Sequence, residues 1–324
     1  MSSSEVAFEF AVVVLDVHKE FPDGKPIANG DKVGFTFATE PARSTEYFGL
    51  CDVARLGAGT SSERWSGTAY DGKRLAQKIQ SRKPAVEHVI FYIHGFNNQP
   101  EDVLVSFSKF RTAISAQNPK ILPIPVLWAC SDSASAADKY FDDKGNAATT
   151  GIALGRALAS FLRARSDRLR VNFFVHSMGN RVLDYTLSSF ADAIAARQLP
   201  KLVDSIWSVA GDVAEDIFEG QNSGHHWSDV AKRVCVYHSK FDMVMSLAKF
   251  ANIFGELRFN RRLGKKGPKQ PVPDNVISFD CAAFNQSVDP GKGHSYQLAK
   301  PIIDHVLKIV ETDRIPPWGT GSRL

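Results

Sequence analysis

The sequence predicts an α/β fold, a mostly parallel central sheet with helices on both faces, from three observations. From residue 86 onward, six short runs of β-branched and aromatic residues alternate with longer segments of helical period, the pattern of repeated βα units. The runs are apolar throughout rather than alternating, which suits strands covered on both sides. With 324 residues, 44% of them hydrophobic and only 23% charged, the chain can bury a large core, and coiled-coil, collagen and disordered classes are excluded.

The first 80 residues read differently from the rest. FEFAVVVLDV and KVGFTFAT are strand-like and are separated by the turn-rich EFPDGKPIANGD, so they predict an N-terminal strand pair, followed by a loop and a helix near 70–82. The predicted core strands are HVIFYI (88–93), ILPIPVLWA (121–129), RVNFFV (170–175), DSIWSVA (204–210), RVCVYH (233–238) and NVISFD (275–280). Pro100 opens a helix at a first-turn position, with Glu101 and Asp102 where the helix dipole favours acids and Leu104, Phe107, Phe110 and Ile114 at helical spacing. Further helices are predicted at 150–165, 180–197, 243–254 and 295–311, after which Pro316 and Pro317 end regular structure and WGTGSRL reads as a frayed end. No repeat and no Ser/Gly-rich linker divides the chain. The expectation is one domain over 1–324: a strand pair and helix at 1–85, the core at 86–312 and a tail at 313–324.

Composition bounds the setting and the partners. Four widely spaced cysteines without a CxxC pair argue against a zinc ribbon or a disulfide scaffold and for a reduced, cytoplasmic environment. Glu5 and Glu9 stand where a signal peptide would carry basic residues, and no stretch reaches the ~18 apolar residues of a membrane span. The net charge of +4 has one address. RFNRRLGKKGPK at 258–269 carries Arg258, Arg261, Arg262, Lys265, Lys266 and Lys269 with no acid, and taking its +6 from the total leaves the remainder at −2. With a single aromatic, Phe259, the window lacks the interleaved stacking residues of a nucleic-acid binder, and no nucleic-acid partner is expected. It reads either as a solvated loop or as an approach for anionic substrates or an anionic lipid surface beside the active-site mouth.

The sharpest local signal is FFVHSMGN (173–180), an apolar strand running into Ser177 and then into a helix. A serine on such a tight turn projects its hydroxyl from the carboxyl edge of the sheet, with a helix N-terminus behind it. Val175 departs from the small residue usual two positions before such a serine and predicts crowding there. Upstream, HVIFYI ends in His94, Gly95 and Phe96, which resembles the HG-x loop that supplies a backbone N–H to an oxyanion. The two donors would be Phe96 and Met178.

A serine needs a base and an orienting acid. Two acids follow strands, Asp212 and Asp242; the arrangement usual in hydrolases, with the acid after the second strand beyond the nucleophile, favours Asp242, with helix capping as the other task for Asp212. Among the histidines, His294 in PGKGHSYQL follows the last strand and is flanked by Gly291 and Gly293. His18 and His88 precede Ser177, His238 lies within a strand, and His305 and His176 read as packing residues. His225 and His226 with Asp229 read as a solvated loop rather than a metal site.

HGFNN, VLWACSDS with Tyr140 and Asp143 after it, HSMGNRVL, VAGDVAEDIF, KFD and GHSY together resemble an uncharacterised, mainly bacterial branch of the α/β-hydrolase superfamily, over roughly residues 33–311. The resemblance implies an α/β-hydrolase fold and a serine triad of Ser177, Asp242 and His294, and implies no substrate. The expected activity is that of a serine hydrolase, a carboxylic-ester hydrolase working through an acyl-enzyme without metal or organic cofactor, on a small-molecule or lipid-like ester. The competing readings are an acyltransferase and a catalytically silent binding or interaction module. Oligomeric state is left open.

Overall fold

The computed structural model describes residues 72–98, 100–128, 130, 135–195, 201–220, 222–245 and 261–318, and the backbone of five strand segments between 12 and 69. In chain order these early strands are β1 (Val12–Val14), β2 (Lys32–Phe35), β3 (Glu46–Tyr47), β4 (Leu50–Leu56) and β5 (Arg64–Ala69), followed by helix α1 (Gly72–Gln80). The core continues with β6 (His88–Ile93), α2 (Pro100–Ser115), β7 (Ile121–Leu127), α3 (Ala136–Ala164), β8 (Arg170–His176) and α4 (Gly179–Ala195). It closes with β9 (Val203–Val209), α5 (His225–Val230), β10 (Ala231–His238), α6 (Leu263–Lys266), β11 (Val276–Asp280), α7 (Asn285–Val288) and α8 (Lys300–Thr312).

All six predicted core strands form. They lie in an eight-stranded sheet of order β11-β10-β9-β8-β6-β7-β1-β3, in which every neighbouring pair is parallel except β1 with β3. β8 pairs on one side with β6 (Ile93 opposite Val175) and on the other with β9 (Val175 opposite Ser208), so the strand ending at Ser177 is central. Two buried layers sandwich the sheet, as apolar two-faced strands require. One joins Phe91, Phe173 and Val234 to α1, α3 and α4; the other joins Tyr92, Phe174 and Trp207 to α2 and α8.

The N-terminal pair does not form as expected. β1 enters the large sheet beside β7, whereas β2 joins a separate three-stranded antiparallel sheet of order β2-β5-β4. The long turn-rich connection between them fixes no hairpin register, unlike a two-residue turn, and VVV suits a sheet interior. β4 was hidden in the sequence because its register shifts between Cys51 and Ala54, which breaks the two-residue alternation that betrays a strand.

α3 begins at Ala136 rather than near 150, capped by Ser135, whose Oγ accepts the Asp138 N–H at 3.1 Å. Its early turns bury Asp143, Asn146 and Thr150, so the inner face shows no apolar stripe to a sequence reading. α8 starts at Lys300 rather than 295. The predicted helix over 243–254 lies mostly outside the described residues. Nor is the chain loose at Trp318: its indole N–H donates to the Asp280 carbonyl (3.0 Å) and its ring packs 5.0 Å from His305. No helix among the described residues is long and apolar enough to cross a membrane.

α3 and α4 pack closely, and Gly151 makes the approach possible: a Cβ there would stand 2.5 Å from Tyr185 Cβ and 2.6 Å from the Val182 carbonyl. Gly151→Ala is therefore expected to lower stability by about 1–3 kcal/mol through overpacking, read as a shift in the chemical denaturation midpoint. An unchanged midpoint would show that the two helices can part without cost.

Candidate active site

Three neighbouring parallel strands leave the sheet through residues with left-handed backbone: Asn97 after β6 (φ 53°), Ser177 after β8 (φ 53°) and Ala210 after β9 (φ 49°). Non-glycine residues pay a steric penalty in this region, and such positions concentrate at functional edges. Ser177 is held there from several sides. Its N–H donates to Val209 O (3.0 Å), and its own carbonyl accepts from the N–H groups of Asn180 and Asp212 (3.1 Å each) and from Asn180 Nδ2 (2.9 Å). Ser208 Oγ donates to Asn180 Oδ1 at 2.6 Å and so orients that amide.

The crowding expected at Val175 falls elsewhere. A Cβ on Gly179 would lie 2.5 Å from the His94 carbonyl, and one on Gly95 would lie 2.8 Å from Ser177 Cβ. Only glycine lets the HG loop and the elbow touch, whereas Val175 is an ordinary fully buried strand residue.

The loops after β10 and β11 bring the acid and the base to this turn. Ser177 Oγ–H donates to His294 Nε2 at 2.9 Å, and His294 Nδ1–H donates to Asp242 Oδ2 at 2.7 Å. Asp242 is fully buried, and Ser177 and His294 are 4% and 8% exposed, so solvent reaches the serine and the histidine but not the acid. Asp242 Oδ1 accepts the Met245 N–H (2.9 Å), and the Asp242 carbonyl accepts from Lys265 Nζ (3.2 Å). Gly291 (φ 81°) and Gly293 (φ 60°) turn the chain back, and Asp289 Oδ2 accepts the N–H groups of His294 and Ser295 at 2.8 Å.

Gly95 packs against Ser177, and Phe96 and Met178 are the residues that follow each of them; among the described residues neither N–H enters a backbone hydrogen bond. Residues that the sequence reading left without a role hold this loop. Asn98 Nδ2 donates to the carbonyls of Gly95 and Phe96 (2.9 Å each), and the buried Asp143 accepts the Asn97 N–H at 3.3 Å. His94 stacks on Trp128 (5.1 Å between rings) and accepts the Trp128 backbone N–H on Nε2, so Nδ1 carries the proton and donates to Gly95 O at 2.9 Å. Burial drives His94 down to about 4, keeping it neutral.

The sequence matches the family described as alpha/beta hydrolase of unknown function (DUF900) over residues 71–290. The chain belongs to this α/β-hydrolase family. Similar solved structures are an esterase of Pyrobaculum calidifontis (9% identity, TM-score 0.39, 90% of this chain and 87% of that one covered) and esterase 2 of Thermogutta terrifontis (12%, 0.31, 73% and 88%). An ester hydrolase from the metagenome of Lake Arreo matches at 10% identity and TM-score 0.34, with 85% and 84% covered. Comparison with curated protein sequences found no match.

In this α/β-hydrolase the two acids have separate environments. Asp212 does not cap a helix; its carboxylate lies against Arg181 Nε (3.4 Å) and Arg262 Nε (3.3 Å) and accepts the Tyr140 hydroxyl (2.9 Å). Burial alone would raise its pKa, but Arg181 and Arg262, helped by the Tyr140 hydrogen bond, hold it below the usual carboxylate range. A polar cavity of about 210 Å³ beside this cluster is lined in part by Arg181, Asp184, Asn222 and Arg262.

The basic window is not a uniformly free loop. Arg262 is buried on Asp212, Lys269 Nζ pairs with Glu219 (2.8 Å), and Lys265 reaches Asp242, so α6 ties the window to both acids. Arg261 and Lys266 are exposed, and Arg258 lies outside the described residues. His305 accepts the Tyr237 hydroxyl on Nδ1 (2.7 Å), a packing role. His225 and His226 begin α5 rather than a loop, and with Asp229 they place nitrogen and oxygen atoms within 4.8 Å of one another at the amino end of β10, away from the edge that carries Ser177.

Asp212→Asn leaves two buried guanidinium groups without their counter-charge and is expected to cost about 3–5 kcal/mol of stability. Because the folded-state pKa is depressed, the stabilisation is complete above the unfolded carboxylate value of about 4 and fades as pH falls below it through the folded value. Chemical denaturation of both proteins across acid pH should show the gap closing on acidification; a gap independent of pH would contradict the ion-pair account.

Proposed function

We propose that this protein is a serine hydrolase acting on carboxylic esters through Ser177, His294 and Asp242. The single observation that carries the reading is the unbroken relay of hydrogen bonds from the Ser177 hydroxyl through His294 to the buried Asp242 carboxylate, at 2.9 and 2.7 Å. Those contacts are what activation of a weak oxygen nucleophile requires.

In the first half-reaction Ser177 Oγ attacks the ester carbonyl carbon as His294 Nε2 takes the hydroxyl proton. The carbonyl π electrons move to oxygen, and the Phe96 and Met178 N–H groups stabilise that oxyanion. The oxyanion collapses, the C–O bond to the alcohol breaks, and His294 returns its proton to the departing alkoxide. Water then repeats the sequence on the acyl-enzyme, releasing the carboxylic acid and restoring Ser177. Asp242 keeps His294 protonated on Nδ1, so that Nε2 is the basic nitrogen, and stabilises the imidazolium formed in each half-reaction. Side chains and backbone of this chain supply every step.

Charge recognition narrows within this reading. With Arg262 and Lys269 committed to ion pairs and Lys265 bound to the Asp242 carbonyl, attraction of an anionic ester falls to Arg258, Arg261 and Lys266. Replacing Arg261 and Lys266 by serine is expected to raise KM for an anionic ester severalfold at low salt and to leave a neutral ester unaffected; an equal effect on both would remove any role in substrate approach.

The reading as a whole is tested by turnover of p-nitrophenyl esters of several chain lengths. Ser177→Ala is expected to lower kcat by about 10⁴-fold or more and Asp242→Asn by about 10²–10⁴-fold. Turnover that survives Ser177→Ala would refute it, and absence of both turnover and labelling by a fluorophosphonate in the wild type would favour a silent binding module.

A further inference from the structure

His176, which precedes the nucleophile, is a buried residue that the relay does not use. Its ring nevertheless lies between the loop of the base and the HG loop. Nε2 lies 3.2 Å from the His294 carbonyl oxygen, and the two imidazole rings are 4.9 Å apart at 46°. On its other side a Cβ on Gly95 would come within 3.2 Å of His176 Nδ1, so the ring is wedged between the HG loop and the base. A carbonyl oxygen only accepts, which assigns the proton of His176 to Nε2.

We propose that His176 is a positioning residue that sets the distance between base and nucleophile by holding the backbone of His294 to the strand that carries Ser177. The role rests on the Ser177–His294–Asp242 reading and deepens it. His294 lies on a loop turned by two left-handed glycines, and its local tether is the Asp289 carboxylate on its N–H, five residues away in the same loop. The His176 bond is different in kind, because it connects the His294 carbonyl directly to β8. Rigid strand, nucleophile and base thus share one frame, and a base that drifts by an ångström loses much of its rate advantage. His176 is suited to the task because it stays uncharged. Desolvation first, then the neighbouring His294, push it down to about 3, so that it does not repel the imidazolium formed at His294 during turnover.

The test compares three substitutions by the kinetics of inactivation with a fluorophosphonate, which reports serine reactivity without knowledge of the natural ester. Glutamine can present an N–H near the position of imidazole Nε2; asparagine is too short to reach His294 O; phenylalanine fills the space without a donor. His176→Gln is expected to keep the maximal inactivation rate within about threefold of wild type. His176→Asn and His176→Phe are expected to lose roughly tenfold in that rate with the probe's binding constant unchanged, the size expected when one buried hydrogen bond is lost. A His176→Asn protein that reacts like the wild type, or a His176→Gln protein as slow as His176→Asn, would overturn the proposal. The Gln–Asn contrast decides the matter even if His176→Phe does not fold. Ser177→Ala separates the two levels: labelling that persists in it, or absent labelling in the wild type, refutes the catalytic reading itself, whereas a Ser177-dependent reaction indifferent to His176 refutes only the positioning role.

Discussion

The left-handed backbone of Ser177 is the constraint from which the rest of the site follows. Placing a non-glycine residue in that conformation costs on the order of 1–2 kcal/mol. The neighbouring strands offset this by meeting the polar groups of the turn: Val209 O takes the Ser177 N–H, and Asn180 and Asp212 donate to its carbonyl. Val209 and Asp212 reach the turn because β9 lies beside β8, whereas Asn180 is three residues further along the same turn. The same arrangement brings Gly95 and Gly179 into contact with the turn, so the loop of Phe96 is held against Ser177 by steric fit. A single strained residue therefore couples sheet order, glycine placement and the direction of the serine hydroxyl.

The two buried acids show how environment divides labour between identical groups. Asp212 faces two guanidinium groups and a phenol and is a structural counter-charge. Asp242 faces an imidazole whose other nitrogen meets Ser177. The segment Arg261–Lys269 links the two, since Arg262 pairs with Asp212 while Lys265 reaches the Asp242 carbonyl. The strongest concentration of positive charge in the sequence thus serves in part to fasten the site's loops.

How much of this was legible in the sequence depended on whether a residue's signal was local. The core strands were visible because apolar runs such as HVIFYI and RVCVYH need no tertiary information. Ser177 and His294 were visible because each follows a strand in the order that an elbow and a base require; Asp212 and Asp242 both met that condition for the acid, and only the arrangement usual in hydrolases favoured Asp242, which the structure brings, with the other two, within hydrogen-bond distance. What escaped was long-range. The pairing of β1 with β7 joins Val12 to Val126, 114 positions apart in the chain, the beginning of α3 was masked by buried polar residues, and the engagement of Arg262 with Asp212 joins positions with no common pattern. Asn98 and Asp143 hold the HG loop through contacts that only the folded chain creates.

On the proposed function the elbow primes the Ser177 hydroxyl to react. The most direct test is mass-spectrometric mapping of the protein after treatment with a fluorophosphonate at neutral pH. Trypsin should release the segment from Val171 to Arg181, VNFFVHSMGNR, and the account predicts a stoichiometric phosphonyl adduct on Ser177 within it. An unmodified segment, or an adduct on a different serine, would contradict it.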